Sequence, residues 1–96
     1  MSYAKEKFGQ LPRILNENKG TTLQRVYTAF LEVLECKAVD FPTKALSAEF
    51  NRLRAEASTV PGDHGRIQST LATWTNPHLE SMRQRLLALA ARIVAA

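Results

Sequence analysis

Apolar residues recur along this chain in steps of three and four, and no run shows the strict alternation of a half-buried strand, so the pattern predicts helices throughout. The longest stretch is the last, residues 76–96, NPHLESMRQRLLALAARIVAA. Asn76 suits an N-cap because its side-chain oxygen can accept an orphan backbone N–H. Pro77 at the first helical position loses nothing by lacking a donor. Leu79, Met82, Leu86, Leu89 and Ile93 then form a seam for a neighbouring helix, and Leu87, Ala90 and Val94 widen it.

Earlier in the chain, Thr21-Thr22-Leu23-Gln24 has the form of a capping box and launches a helix to about Val39. Leu23, Val26, Tyr27, Phe30, Leu31 and Leu34 are its inward positions, with Val33 and Ala38 on the borders and Cys36 on the opposite face. Asp40-Phe41-Pro42 breaks it, because the residue before a proline avoids helical angles. Thr43 caps the next helix, about 43–58, with Leu46, Phe50, Leu53 and Ala57 inward and Lys44, Ser47, Asn51 and Arg52 outward. Pro61-Gly62 fits the centre of a type II turn, and a short helix over 65–75 places Ile67, Leu71 and Trp74 inward. At the start, residues 2–9 form one fraying turn with Tyr3 and Phe8 as handles, followed by a small lid helix using Leu11, Ile14 and Leu15. The expectation is an all-α, compact bundle of four to five helices with a long C-terminal helix serving core and interface. It is one domain over 1–96, with 1–20 as a loosely attached segment.

Composition narrows the class. The chain is 45% hydrophobic and 23% charged, as expected of a folded globular domain. A net charge of +4 with a pI near 9.6 leans towards acidic partners, but each half carries +2, so there is no basic tail. Cys36 is the single cysteine, which excludes an internal disulfide and fits a reducing compartment. The N-terminus lacks the apolar core of a signal peptide, and Arg92 interrupts the LLALAA run well short of a membrane span, so the expectation is a cytoplasmic protein with no membrane partner. An alanine-rich chain with arginine exceeding lysine suits a bacterial or phage source.

Candidate chemistry is sparse. Cys36, His64 and His78 are isolated in different elements, and Glu32-x-x-Glu35 is not the Glu-x-x-His of carboxylate metal bundles. Lys19-Gly20-Thr21-Thr22 reverses the order of a phosphate loop. Gly62-Asp63-His64-Gly65-Arg66 could hold an anion at a helix start, although turn geometry already explains its glycines. No catalytic residue, metal, cofactor or small-molecule substrate is expected.

Two constellations carry more weight. On the last helix Arg83 lies within the apolar arc, Arg85 and Arg92 border it, and no acid follows Glu80. Such a seam prefers a helix with acidic borders, either Glu49 and Glu56 beside Leu46, Phe50 and Leu53, or a partner outside the fold. Arg83, Arg85, Leu87, Ala90, Arg92 and Val94 are therefore the expected protein interface. The second constellation is a polar ridge of Lys44, Ser47, Asn51, Arg52 and Arg54, helped by Arg66, able to reach phosphates and base edges. A helix-turn-helix across 39–43 would carry Pro42 in its turn and lack the usual glycine. The leading expectation is a small non-enzymatic subunit, adaptor or inhibitor that binds a protein partner or forms a homodimer through its last helix. The alternative is a small basic nucleic-acid-binding protein.

Overall fold

In the computed structural model, which describes residues 3–17 and 19–96, each helix forms where its apolar period meets a stop or cap. Helix α1 (Tyr3–Phe8) and helix α2 (Leu11–Asn16) are separated only by Gly9 and Gln10. Backbone bonds from Gly9 N–H to Lys5 and from Ile14 N–H to Gln10 carry the helical ladder almost through the break, so the two read as one kinked arm. There follow α3 (Thr22–Val33), a 3₁₀ turn (Ala38–Asp40), α4 (Lys44–Glu56), α5 (Arg66–Leu71) and α6 (Asn76–Ala95), with no strand among the described residues. Counting the arm once, this is the expected all-α bundle of five helices with a long last helix, and its radius of gyration of 12.7 Å is that of a compact chain. No helix among the described residues is long and apolar enough to cross a membrane.

Helix α6 is the element on which the rest is laid, packing against α1, α2, α3 and α4. Its seam is buried as the spacing predicts: Leu79, Met82, Leu86, Leu89 and Ile93, together with Ala90. The helix begins one residue earlier than expected, with Thr75 as the cap and Pro77 in the first turn.

The capping box of α3 is present in both directions. The Thr21 hydroxyl accepts the Gln24 N–H at 3.2 Å, and the Gln24 side-chain oxygen accepts the Thr21 N–H at 2.8 Å. The other end departs from expectation: α3 stops at Val33, not Val39. The Cys36 N–H turns back to Val33 in a tighter step, and the Asp40 carboxylate accepts the Lys37 N–H at 2.8 Å, offering the backbone a local partner in place of the helix ladder. Helical phase therefore does not extend to Cys36, which is buried and not on an outer face. Burial, with Asp40 nearby, pushes its thiol up to about 11.

Thr43 caps α4 as expected, its hydroxyl accepting the Leu46 N–H at 3.2 Å, and Leu46, Phe50, Leu53 and Ala57 face inward. Ser47 is a correction: it is buried, because a small side chain one turn before Phe50 falls on the border of the seam, where larger neighbours cover it. The loop after α4 also differs. Positive φ occurs at Gly65 (96°), the cap of α5, and not at Gly62. Gly62 is required for another reason: a Cβ there would collide with the Ser69 side chain. Thr70, buried in α5, ties the loop down by accepting the Val60 N–H at 2.8 Å while donating to the Arg66 carbonyl. The short helix is trimmed to Arg66–Leu71, so Trp74 lies beyond it, half-buried and stacked on His78 at 3.7 Å between ring centroids.

The N-terminal turn was expected to fray. From Tyr3 onward it is instead a helix with Ala4 and Phe8 fully buried, while Ser2 of the expected 2–9 turn lies outside the described residues. Phe8 meets Phe50 edge-on at 5.5 Å and Phe41 at 5.7 Å, and Phe41 stacks on Phe50 at 5.6 Å. This trio joins α1, the turn before α4, and α4 itself; no period within a single segment reveals it. Phe8→Ala is expected to cost about 3–5 kcal/mol, the usual range for emptying a buried aromatic site, as read from urea unfolding. A loss below about 1 kcal/mol would mean that the arm is peripheral.

Candidate functional site

The interface residues expected on α6 are largely engaged inside the fold. Ala90 is fully buried. The Arg83 Nε donates to both Glu80 carboxylate oxygens at 2.7 and 2.8 Å, and its Nη1 donates to Asn16 Oδ1 at 2.8 Å and to the Leu15 carbonyl at 3.4 Å. It thereby ties α6 to acceptors at the end of α2, where helix carbonyls lack internal partners. The same contact holds the Glu80 carboxyl below its usual range and raises the Arg83 guanidinium.

Arg85 grips Glu56 bidentately at 2.9 and 3.1 Å, and Arg92 pairs with Glu49. These are the two acids whose position beside the α4 seam makes them internal partners for the arginines. With 49 opposite 92 and 56 opposite 85, α4 and α6 run antiparallel. His78 adds a contact to Glu56 at 3.5 Å from beneath the Trp74 ring. Of the six residues, Leu87 is half-buried against the core and Val94 is 50% exposed.

Of the ridge, Lys44, Asn51, Arg52 and Arg54 are exposed on α4 and Arg66 is exposed at the start of α5, whereas Ser47 is buried. Tertiary structure brings three of them together. Asn51, Arg54 and Arg66, with Ser58, rim an open cleft of about 490 Å³ whose apolar lining is Leu34, Ala55 and Ile67. A smaller hollow of about 170 Å³, lined by Tyr27, Leu31 and His64, adjoins it and shares Leu34, Arg66 and Ile67. No aspartate or glutamate is among the lining residues of either part. Neither Arg54 nor Arg66 forms an ion pair with a described residue.

The apolar lining exists because α3 is apolar over too wide an arc. At 100° per residue, its apolar positions from Ala29 to Leu31 span roughly 200° of the circumference. Val26, Ala29, Phe30 and Val33 fill the side facing the core, so Leu23, Tyr27 and Leu34 are only half-buried and Leu31 is 49% exposed. The six-residue α5 packs along this flank and leaves it partly uncovered. Of the four apolar lining residues expected in the core, Ile67 is buried as expected, Tyr27 and Leu34 are half-buried against it, and Leu31 is exposed. The available signal for a surface role was the breadth of that arc. Val39, 89% exposed on the turn after α3, adds a further uncovered apolar side chain nearby in sequence.

The remaining candidates do not converge. His64 lines the smaller hollow, His78 lies against Trp74, and Cys36 is buried beside the 3₁₀ turn. Among the described residues, no group of three His, Cys, Asp or Glu side chains could hold a metal ion.

Two solution properties follow. Because Arg85 holds Glu56 below its ordinary value of 4.5, the folded state keeps this carboxylate charged where the unfolded chain protonates it. Its stabilising effect is thus full above about pH 4.5 and is lost as pH falls through the lowered folded value; Glu56→Gln is expected to flatten that acid limb in urea midpoints measured from pH 6 to pH 3. The Cys36 thiol should resist a thiol-specific reagent at neutral pH in the folded protein and react fully once denaturant is added. Rapid labelling without denaturant would contradict its burial.

Compared with protein families, with characterised proteins and with solved structures, the chain matches none.

Proposed function

We propose that this protein is a small, non-catalytic helical module that works by binding a partner protein, and that the cleft between α3, α4 and α5 is its docking surface. One observation carries the reading: an open cleft with an apolar floor is bordered by two arginines that form no ion pair among the described residues. Exposed apolar surface rimmed by polar groups marks contact sites, and arginine is favoured in them. The surface lies on the opposite border of α4 from α6, because Glu49 and Glu56 already complement the α6 arginines.

Nucleic-acid binding is a second reading, favoured by Lys44, Arg52, Arg54 and Arg66, exposed cations on adjoining elements that form no ion pair among the described residues. It predicts affinity for mixed-sequence DNA or RNA that collapses between about 50 and 200 mM salt.

A photo-crosslinking residue at Leu31, in the cell of origin, separates the two. Docking predicts a discrete protein adduct at position 31 that is missing when the same residue replaces exposed Ala88 on α6. Identical adducts at both positions, or nucleic acid alone at position 31, would count against docking here.

A further inference from the structure

We infer that the cleft's occupant is an amphipathic helix of a partner protein that carries carboxylates along the border of its apolar face. The inference rests on the docking reading above and adds the chemistry of the partner. The protein contains its own template for the contact. At the α4–α6 seam, an apolar row bordered by Glu49 and Glu56 meets an apolar row bordered by Arg85 and Arg92. Arg83 with Glu80 and Arg13 with Glu17 make the same kind of contact within single helices, whereas Arg25 and the exposed Arg52 form no ion pair among the described residues. Arg54 and Arg66 carry the same fork of donors beside the same kind of apolar lining, Leu34, Ala55 and Ile67, and no acid of the fold reaches them among the described residues. What satisfies them is a second face patterned like the Glu-bordered side of α4, supplied from outside.

The shape of the cleft agrees. Its volume of about 490 Å³ would suit a small ligand, but it is open to solvent and adjoins the hollow lined by Leu31, whereas small-molecule sites enclose most of the ligand's surface. A helix laid across it would set successive apolar side chains at i, i+3 or i+4, and i+7 into the two parts. Nucleic acid could use Tyr27, His64 and the two arginines, but the floor between them is the aliphatic surface of Leu31, Leu34 and Ile67, which suits an apolar helix face better than a phosphate backbone.

The test is an amide-shift titration of the ¹⁵N-labelled protein with three synthetic helical peptides of about four turns that share a leucine row and are flanked by Glu, Gln or Lys. The Glu peptide is expected to shift the amides of Leu31, Leu34 and Ile67 saturably, and the Lys peptide is not. Arg54→Glu with Arg66→Glu, both at exposed positions that leave the core untouched, should weaken the Glu peptide by about tenfold or more and admit the Lys peptide. Equal binding of all three peptides at the cleft would overturn the carboxylate preference and leave docking standing. Binding by none would overturn the helix as occupant, with the cross-link at position 31 still deciding whether any protein docks. Preferential shifts of the same amides by a single-stranded oligonucleotide would assign the arginines to phosphates and overturn the inference.

Discussion

The fold depends on covering one helix. Six apolar side chains of α6, from Leu79 to Ile93, must leave water, and at roughly 25 cal/mol per Å² of apolar surface no single neighbour of six to thirteen residues can remove enough of them. Four elements therefore converge on α6: the arm α1–α2 along one flank, α3 across it and α4 antiparallel to it. The arm's short helices, marginal alone, become part of the core because each presents two or three apolar side chains to this shared surface.

Charge then sets register. Burial alone would let α4 slide along α6 by a turn, but Glu49 with Arg92 and Glu56 with Arg85 coincide only in one alignment. Each such pair, partly exposed, contributes little to stability, about 0–1 kcal/mol, while excluding alternatives that leave like charges together. Arg83 does comparable work at the other flank, joining Glu80 and the end of α2. Arg85 and Arg92 look on a helical wheel like an interface awaiting a partner; within the fold they meet Glu56 and Glu49 of α4.

That allocation explains where uncovered surface remains. Helix α4 has two borders, and its acids occupy the one facing α6. The other border carries Asn51, Arg54 and Ser58 beside the flank of α3 that α5 is too short to cover. The cleft is thus a consequence of unequal helix lengths around a small core, and its basic rim combines Arg54, on the border of α4 away from Glu49 and Glu56, with Arg66 at the start of α5.

Much of this was legible in the residues. Steps of three and four made every element a helix, Thr21 with Gln24 and Thr43 marked two helix starts, and the α6 seam was readable side chain by side chain, because caps and periodicity act within a few residues. Even the Arg–Glu partnership was implicit in matching charged borders. The early end of α3 was not, since it turns on the Asp40 carboxylate competing for a backbone N–H, and with it went the placement of Cys36 and the exposure of Val39. The Phe8–Phe41–Phe50 trio and the Arg54–Arg66 cleft join segments far apart in the chain. By itself the sequence determined which faces had to be buried. Only the tertiary structure decided which had a neighbour long enough to cover them, because coverage depends on helix lengths and directions set by the whole core.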